Sequence, residues 1–158
     1  VNYVTLVRVL STLHLNDTRQ GIIMVFTSAM IPFCVFTIRN FVVSVPVELD
    51  EAAMVDGANQ FQVFYKIIIP LAMPQLAVIF LFSFIATYSE YVITSIFLQT
   101  PGKMTLALGL QSFISDQFAA HWTLFSAAAV ISSLPIMIVF MCLQRFIQSG
   151  LVAGGVKG

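Results

Sequence analysis

Glu90 is the one acidic side chain that falls inside a long apolar run of this 158-residue chain, and a carboxylate in a membrane-length segment is by default a functional group. It reads either as a group on a pathway through a membrane or as a hydrated residue at its edge. A helix that starts near Ile67 crosses a ~30 Å hydrocarbon layer in about twenty residues, which leaves Glu90 by the outer interface. His121 beside Trp122 at a membrane edge fits an aromatic-belt pair better than a catalytic base or a metal ligand. The glycine-rich end has Val156 between Gly155 and Lys157, with no Ser or Thr and no helix after it, so it is not a phosphate loop. Cys34 and Cys142 stand alone in apolar runs, with no histidine close by to complete a metal set. Nothing groups a nucleophile with a base and an orienting acid. The expectation is a chain that is not an enzyme and holds no metal or cofactor of its own.

The other concentration of polar chemistry lies between Val45 and Lys66. Pro46 blocks continuation of whatever helix precedes it. Glu48, Asp50 and Glu51 crowd the first turn of the next helix, where negative charge opposes the positive end of the helix dipole. Gly57 suits a left-handed stop, and Asn59 with Gln62 three residues later reads as a capping box that starts a second short helix. Phe61, Phe64, Ile67 and Ile68 recur at helical spacing, and Pro70 is expected to break the ladder where this helix gives way to a longer one. A plain connector needs only a few polar residues. The segment therefore reads either as a docking element for another protein or as a helix lying on a membrane surface.

The elements that must position these groups follow from composition. The chain is 59% hydrophobic and 9% charged, with a mean hydropathy of +0.96, whereas soluble domains carry roughly 25% charged residues. Seven basic and seven acidic side chains cancel, so there is no cationic stripe for nucleic acid. Apolar runs at Gly21 to Ile38, at Ile67 to Tyr88 with a weak continuation to Leu98, and at Leu124 to Leu143 give three spans. Lipid offers the backbone no hydrogen-bond partners, so these are helices, and the fold class is an all-α polytopic membrane bundle. The layout expected is 1–15 the end of an earlier helix, 21–38 a span, 44–66 a cytoplasmic helix-turn-helix loop, 67–98 a span, 99–121 an outer loop, 122–146 a span and 147–158 a cytoplasmic tail. The stretch Val1 to Leu15, interrupted by Asn2, Arg8 and His14, has no signal-peptide pattern, and an interfacial amphipathic helix is its other reading.

Pro32, Pro74 and Pro135 fall inside the spans, where kinks are expected. Ser132 and Ser133 stand ready to satisfy carbonyls freed by Pro135, and Ser126 to Ala129 allow a close helix approach. Arg39, Lys66, Arg145 and Lys157 fall on one side, and Arg19 and Lys103 on the other. That bias puts the 44–66 loop and the tail in the cytoplasm.

Glu51-Ala52-Ala53, Gly57 after three more residues, and Ile67, Ile69 and Pro70 resemble the EAA motif of permease subunits in bacterial ATP-binding-cassette importers, with Ile69 where that motif has Leu. Leu15-Asn16-Asp17-Thr18, Val45-Pro46, Asp56-Gly57-Ala58, Ser83-Phe84-Ile85, Thr105-Leu106, Leu134-Pro135 and the stretch Gly150 to Gly158 resemble carbohydrate-importer permeases. The likeness is strongest to the C-terminal part of the smaller membrane subunit of maltose and maltodextrin importers.

The resemblance implies a multi-pass protein of the bacterial inner membrane with the type I importer permease fold, and roughly the N-terminal half of such a subunit is missing. It implies that Glu51 to Gly57, including Ala52, Ala53 and Asp56, form a coupling helix seated in a cytoplasmic ATPase dimer, with Glu51 facing an arginine there and Ile67 and Pro70 closing the motif. It implies that Gly154, Gly155, Val156, Lys157 and Gly158 reach the same ATPase, which binds the ATP. A second, larger permease subunit and an extracytoplasmic sugar-binding protein complete the partners, the latter facing the loop between Gln99 and Trp122. Glu90 matches an acid often found at this place in such permeases, although Tyr88 and Ser89 differ from its usual companions. A secondary transporter of small polar solutes is the alternative, and it would need ionisable or unwound segments near mid-membrane. A membrane-embedded hydrolase would need converging acid, histidine or serine groups.

Overall fold

The computed structural model describes residues 3–115 and 121–155, and every regular element among them is helical. In chain order these are α1 (Tyr3–Thr12), α2 (Arg19–Ser44), α3 (Val47–Val55), α4 (Gln60–Val63), a π turn (Phe64–Ile68), α5 (Ile69–Tyr88), α6 (Val92–Phe97), a 3₁₀ turn (Pro101–Lys103), α7 (Leu106–Ser112) and α8 (Trp122–Gly155). Three stretches, Arg19–Ser44, Gln60–Tyr88 and Trp122–Gln148, are long and apolar enough to cross a membrane.

The first of these runs past both ends of the 21–38 segment that hydropathy marks, because 26 residues of helix end only where Val45 must leave helical space ahead of Pro46. The second is not one piece from 67 to 98. It begins at Gln60, passes through the π turn and stops at Tyr88, and α6 starts afresh at Val92. Pro70 does not break it either. Pro70 follows directly on the π turn, which takes up the change of hydrogen-bonding register that the missing N–H imposes.

The chain divides into two compact units. In the one formed by Val1–Met30 and Ser83–Ile138, the core is Leu10, Ile22, Val25, Phe97 and Leu98, with Leu6, Val7, Leu15, Phe26, Ile93 and Leu108 against it. Burying a side chain such as Phe97 contributes roughly 1.5–3 kcal/mol, so α1 is held by packing and is not an isolated surface helix. The turn after α1 is closed by Leu15 N–H donating to Leu10 O (2.9 Å) and His14 N–H to Ser11 O (3.1 Å), with His14 at φ 55° in the position usually given to glycine. Gly21 is required by proximity, since a Cβ there would come within 2.3 Å of Leu15 O.

Near Pro135 the hydroxyls do not serve the carbonyl that the proline frees. Ser132 Oγ donates to Ala128 O (2.6 Å) and Ser133 Oγ to Val130 O (2.7 Å), because a serine on a helix reaches carbonyls three or four residues before itself. The cross-helix bond in this region comes from the Tyr88 hydroxyl, which donates to Ser132 O at 2.8 Å.

The other unit, Ile31–Phe82 with Val139–Gly158, holds α3, α4 and the π turn. Its buried side chains are Ala53, Val63, Ala72, Ala77, Ile79 and Leu81.

Candidate functional site

The segment from Pro46 to Pro70 folds as the residue types require. Pro46 (φ −63°, ψ 133°) is extended and starts α3 with no side-chain cap, and Glu48 and Asp50 in the first turn face the uncapped amides electrostatically. At the other end, Ala58 N–H donates to Ala53 O (3.0 Å) and Gly57 N–H to Met54 O (3.0 Å). That paired pattern is a Schellman stop, and it demands the left-handed backbone that Gly57 adopts at φ 83°. Two residues later Asn59 Oδ1 accepts from Gln62 N–H (2.9 Å) while Gln62 Oε1 accepts from Asn59 N–H (3.0 Å). Both members of the capping box are formed, so the bend between α3 and α4 is fixed by four hydrogen bonds between Ala53 and Gln62.

Of the motif residues, Ala53 is buried, Ile67 is half-buried in the π turn, and Glu51, Ala52, Asp56, Gly57 and Pro70 are exposed. Val63 is the buried residue of α4. Val55 and Phe61 are 87% and 78% exposed, and Tyr65, which meets Phe64 edge-on at 5.5 Å, is exposed as well. Among the described residues, none of Glu48, Asp50, Glu51 and Asp56 is in a salt bridge. Asp50 lines an open groove of about 270 Å³ with Met54, Gln60, Val63, Phe64 and Ile68, and its Oδ1 is buried without a hydrogen-bond partner. A stiff elbow with uncompensated acids and bare aromatic surface can dock a partner that brings basic and apolar side chains. It has no arrangement for bond chemistry.

Glu90 has a role that its position in the sequence does not announce. Its Oε1 accepts from Ile93 N–H (2.8 Å) and its Oε2 from Thr94 N–H (3.1 Å), so it satisfies two amides that have no partner inside α6. The buried Thr94 hydroxyl lies against the carbonyls of Glu90 (3.0 Å) and Tyr91 (2.9 Å). The half-buried carboxylate is thus anchored at the start of α6 by backbone amides.

Asp17 is the polar centre that the sequence reading passed over. Its Oδ1 accepts from the amides of Gln99 (3.0 Å) and Thr100 (3.2 Å), and its Oδ2 accepts from the Thr100 hydroxyl and from Lys103 Nζ (3.1 Å). Lys103 also donates to Asp17 O, and Arg19 Nη2 donates to Gly102 O at 3.1 Å. The Thr100 hydroxyl foremost, then the Thr100 and Gln99 amides, hold the Asp17 carboxyl well below the usual carboxylate range. Lys103 and Arg19, the two cations on the less basic side of the chain, are the ones that close this clamp. The available signal was Asn16-Asp17 ahead of a helix, since such residues tolerate the left-handed turn that Asp17 makes at φ 52°.

The tail residues Gly154 and Gly155 end α8, and Val156, Lys157 and Gly158 lie outside the described residues, as does the 116–120 part of the expected outer loop. No group of His, Cys, Asp and Glu among the described residues could hold a metal ion.

Residues 3–152 match the family described as the inner membrane component of binding-protein-dependent transport systems. The chain is 42% identical over 142 residues to the maltose/maltodextrin transport system permease protein MalG of Escherichia coli (strain K12), covering 90% of this chain and 47% of that protein. It is 36% identical over 155 residues to the inner membrane ABC transporter permease protein YcjP of the same organism, covering 98% of this chain and 55% of that protein. A chain from the crystal structure of a bacterial ABC transporter involved in the import of the acidic polysaccharide alginate superimposes with a TM-score of 0.70 at 28% identity, over 90% of this chain and 55% of that one. The chain therefore spans about half the length of the curated relatives it matches.

Proposed function

Because this chain belongs to the inner membrane components of binding-protein-dependent transport systems, we propose that it is part of a permease that imports sugar at the expense of ATP hydrolysed by a partner. The observation that carries this reading is the α3–Gly57–α4 elbow, whose bend is set by hydrogen bonds, whose acids form no salt bridge among the described residues and whose Phe61 and Tyr65 rings are exposed. In the proposal Glu51 and Asp56 meet basic groups of a cytoplasmic ATPase dimer, and Ile67 and Pro70 carry its movement into α5. The tail from Gly154 to Gly158 makes a second contact with the same dimer. A second, larger permease subunit completes the pathway, and an extracytoplasmic sugar-binding protein delivers the cargo. The chain needs no cofactor, since ATP is bound by the ATPase.

The cargo we propose is an oligosaccharide of the maltodextrin kind, supported by the likeness to MalG. The alginate importer at 28% identity shows that related permeases serve other saccharides. A secondary transporter is disfavoured because Glu90, the acid it would rely on, is committed to the amides of Ile93 and Thr94. The test is Gly57→Val in the full-length assembly, which is expected to abolish both sugar uptake and ATPase association, since a β-branched side chain is strongly disfavoured at positive φ. Normal uptake by that variant overturns the coupling role.

A further inference from the structure

Gln75 is a lone carboxamide near the middle of the 29-residue helix Gln60–Tyr88, and nothing derived so far uses it. It opens into a hollow of about 360 Å³ whose other walls are Phe36, Thr37, Asn40, Phe41 and Ser44 of α2. The Ser44 hydroxyl is engaged by Phe41 O at 2.6 Å. The Thr37 hydroxyl and the carboxamides of Asn40 and Gln75 have no hydrogen-bond partner among the described residues. Asn40 is exposed and Thr37 and Gln75 are half-buried, so all three groups are open to a ligand or to water. Three polar groups that are free to bond around one hollow fit an occupant that offers hydrogen bonds.

The other wall residues narrow its chemistry. Phe36 and Phe41 present ring surface of the kind that the C–H faces of a pyranose cover, while two carboxamides and a hydroxyl can pair with its hydroxyl groups. No charged side chain lines the hollow, which suits a neutral saccharide and not an ion or a uronic acid. The volume falls in the ~300–1,000 Å³ class of small-molecule sites.

The geometry points to a hydrated contact site for a neutral, hydroxyl-rich saccharide moving through the permease, with Gln75 and Asn40 as its main hydrogen-bonding groups. The inference rests on the transport reading above, and it adds the residues that touch the cargo.

The experiment uses the full-length chain assembled with its partners in proteoliposomes, in a Cys34→Ala, Cys142→Ala background. Single Asn40→Cys and Gln75→Cys substitutions are exposed to a membrane-impermeant thiosulfonate with and without neutral sugars (maltotriose, galactobiose) or an alginate trisaccharide. Both positions are expected to react, and at least one neutral sugar is expected to slow the reaction severalfold while the alginate fragment does not. In parallel, Gln75→Leu is expected to lower uptake roughly tenfold, as loss of one well-placed hydrogen bond would, with ATPase co-purification unchanged. Absence of reaction overturns the proposal, as for a face sealed by lipid or by another helix. So does reaction that no neutral sugar slows, and so does loss of the second permease subunit from the Gln75→Leu assembly, which would make the hollow a helix interface. Failure of the unmodified assembly to take up sugar with ATP would sink the transport reading instead, and labelling would still decide whether the hollow is hydrated.

Discussion

Asp17 and Glu90 both direct a carboxylate at backbone amides, and the consequences differ because their surroundings differ. Asp17 is half-buried, and its carboxyl is depressed by the Thr100 hydroxyl and the Thr100 and Gln99 amides. A carboxyl whose folded value lies below its unfolded value of about 3.9 stabilises the fold fully above that value and loses the effect as pH falls through the folded value. The clamp is therefore expected to be indifferent to pH between about 5 and 8. Asp17→Asn should lower the melting temperature of the purified assembly at neutral pH by an amount that stays constant down to about pH 5 and shrinks only in stronger acid. A difference already gone at pH 5 would contradict the clamp. Glu90→Ala should destabilise by about 1 kcal/mol, the usual cost of losing a helix cap, because the Ile93 and Thr94 amides lose their acceptor, and Glu90→Gln by less. Thermal unfolding of the two variants decides this. Unchanged stability with lost uptake would return Glu90 to the pathway.

At the scale of the element, the elbow between α3 and α4 owes its shape to one backbone conformation. A Cβ at Gly57 would meet nothing within 4 Å, so crowding is not the reason for glycine there. The reason is φ of 83°, which costs an ordinary L-residue about 1–2 kcal/mol. Uptake should then fall in the order Gly57→Asn, Gly57→Ala, Gly57→Val, following tolerance of the left-handed region and not side-chain volume. Measured transport rates for the three variants check the order, and an Asn variant worse than Ala would show that something other than φ constrains the position. The same element explains the Pro70 correction. Proline removes a donor, and the π turn from Phe64 to Ile68 directly before it absorbs the change of register, so the helix continues into the span.

At the scale of the whole molecule, only 6% of the apolar window of α8 and 17% of that of α2 is buried within the chain. Side chains such as Val130, Met137 and Met141 are left bare, a surface that lipid and further helices must cover. An importer driven by a partner ATPase should move sugar into vesicles only when ATP is supplied on the ATPase side. Uptake driven by an ion gradient without ATP would assign the molecule to secondary transport. Arg19 and Lys103, the basic residues that count against the orientation drawn from charge, are held by Gly102 O and by Asp17.

The membrane class, the three spans and the helix-turn-helix between the first two were legible in the chain, because hydropathy, proline, glycine and capping residues act over a few neighbours. The Asn59–Gln62 box and the left-handed Gly57 are of this local kind. Tertiary structure alone decided that Asp17 would meet Gln99, Thr100 and Lys103, more than eighty residues away, and that Tyr88 would reach Ser132. It also decided that Thr37 and Asn40 would share a hollow with Gln75. A side chain's pattern tells what it can bond to, whereas its partner depends on which distant backbone the packing of helices brings within about 3 Å.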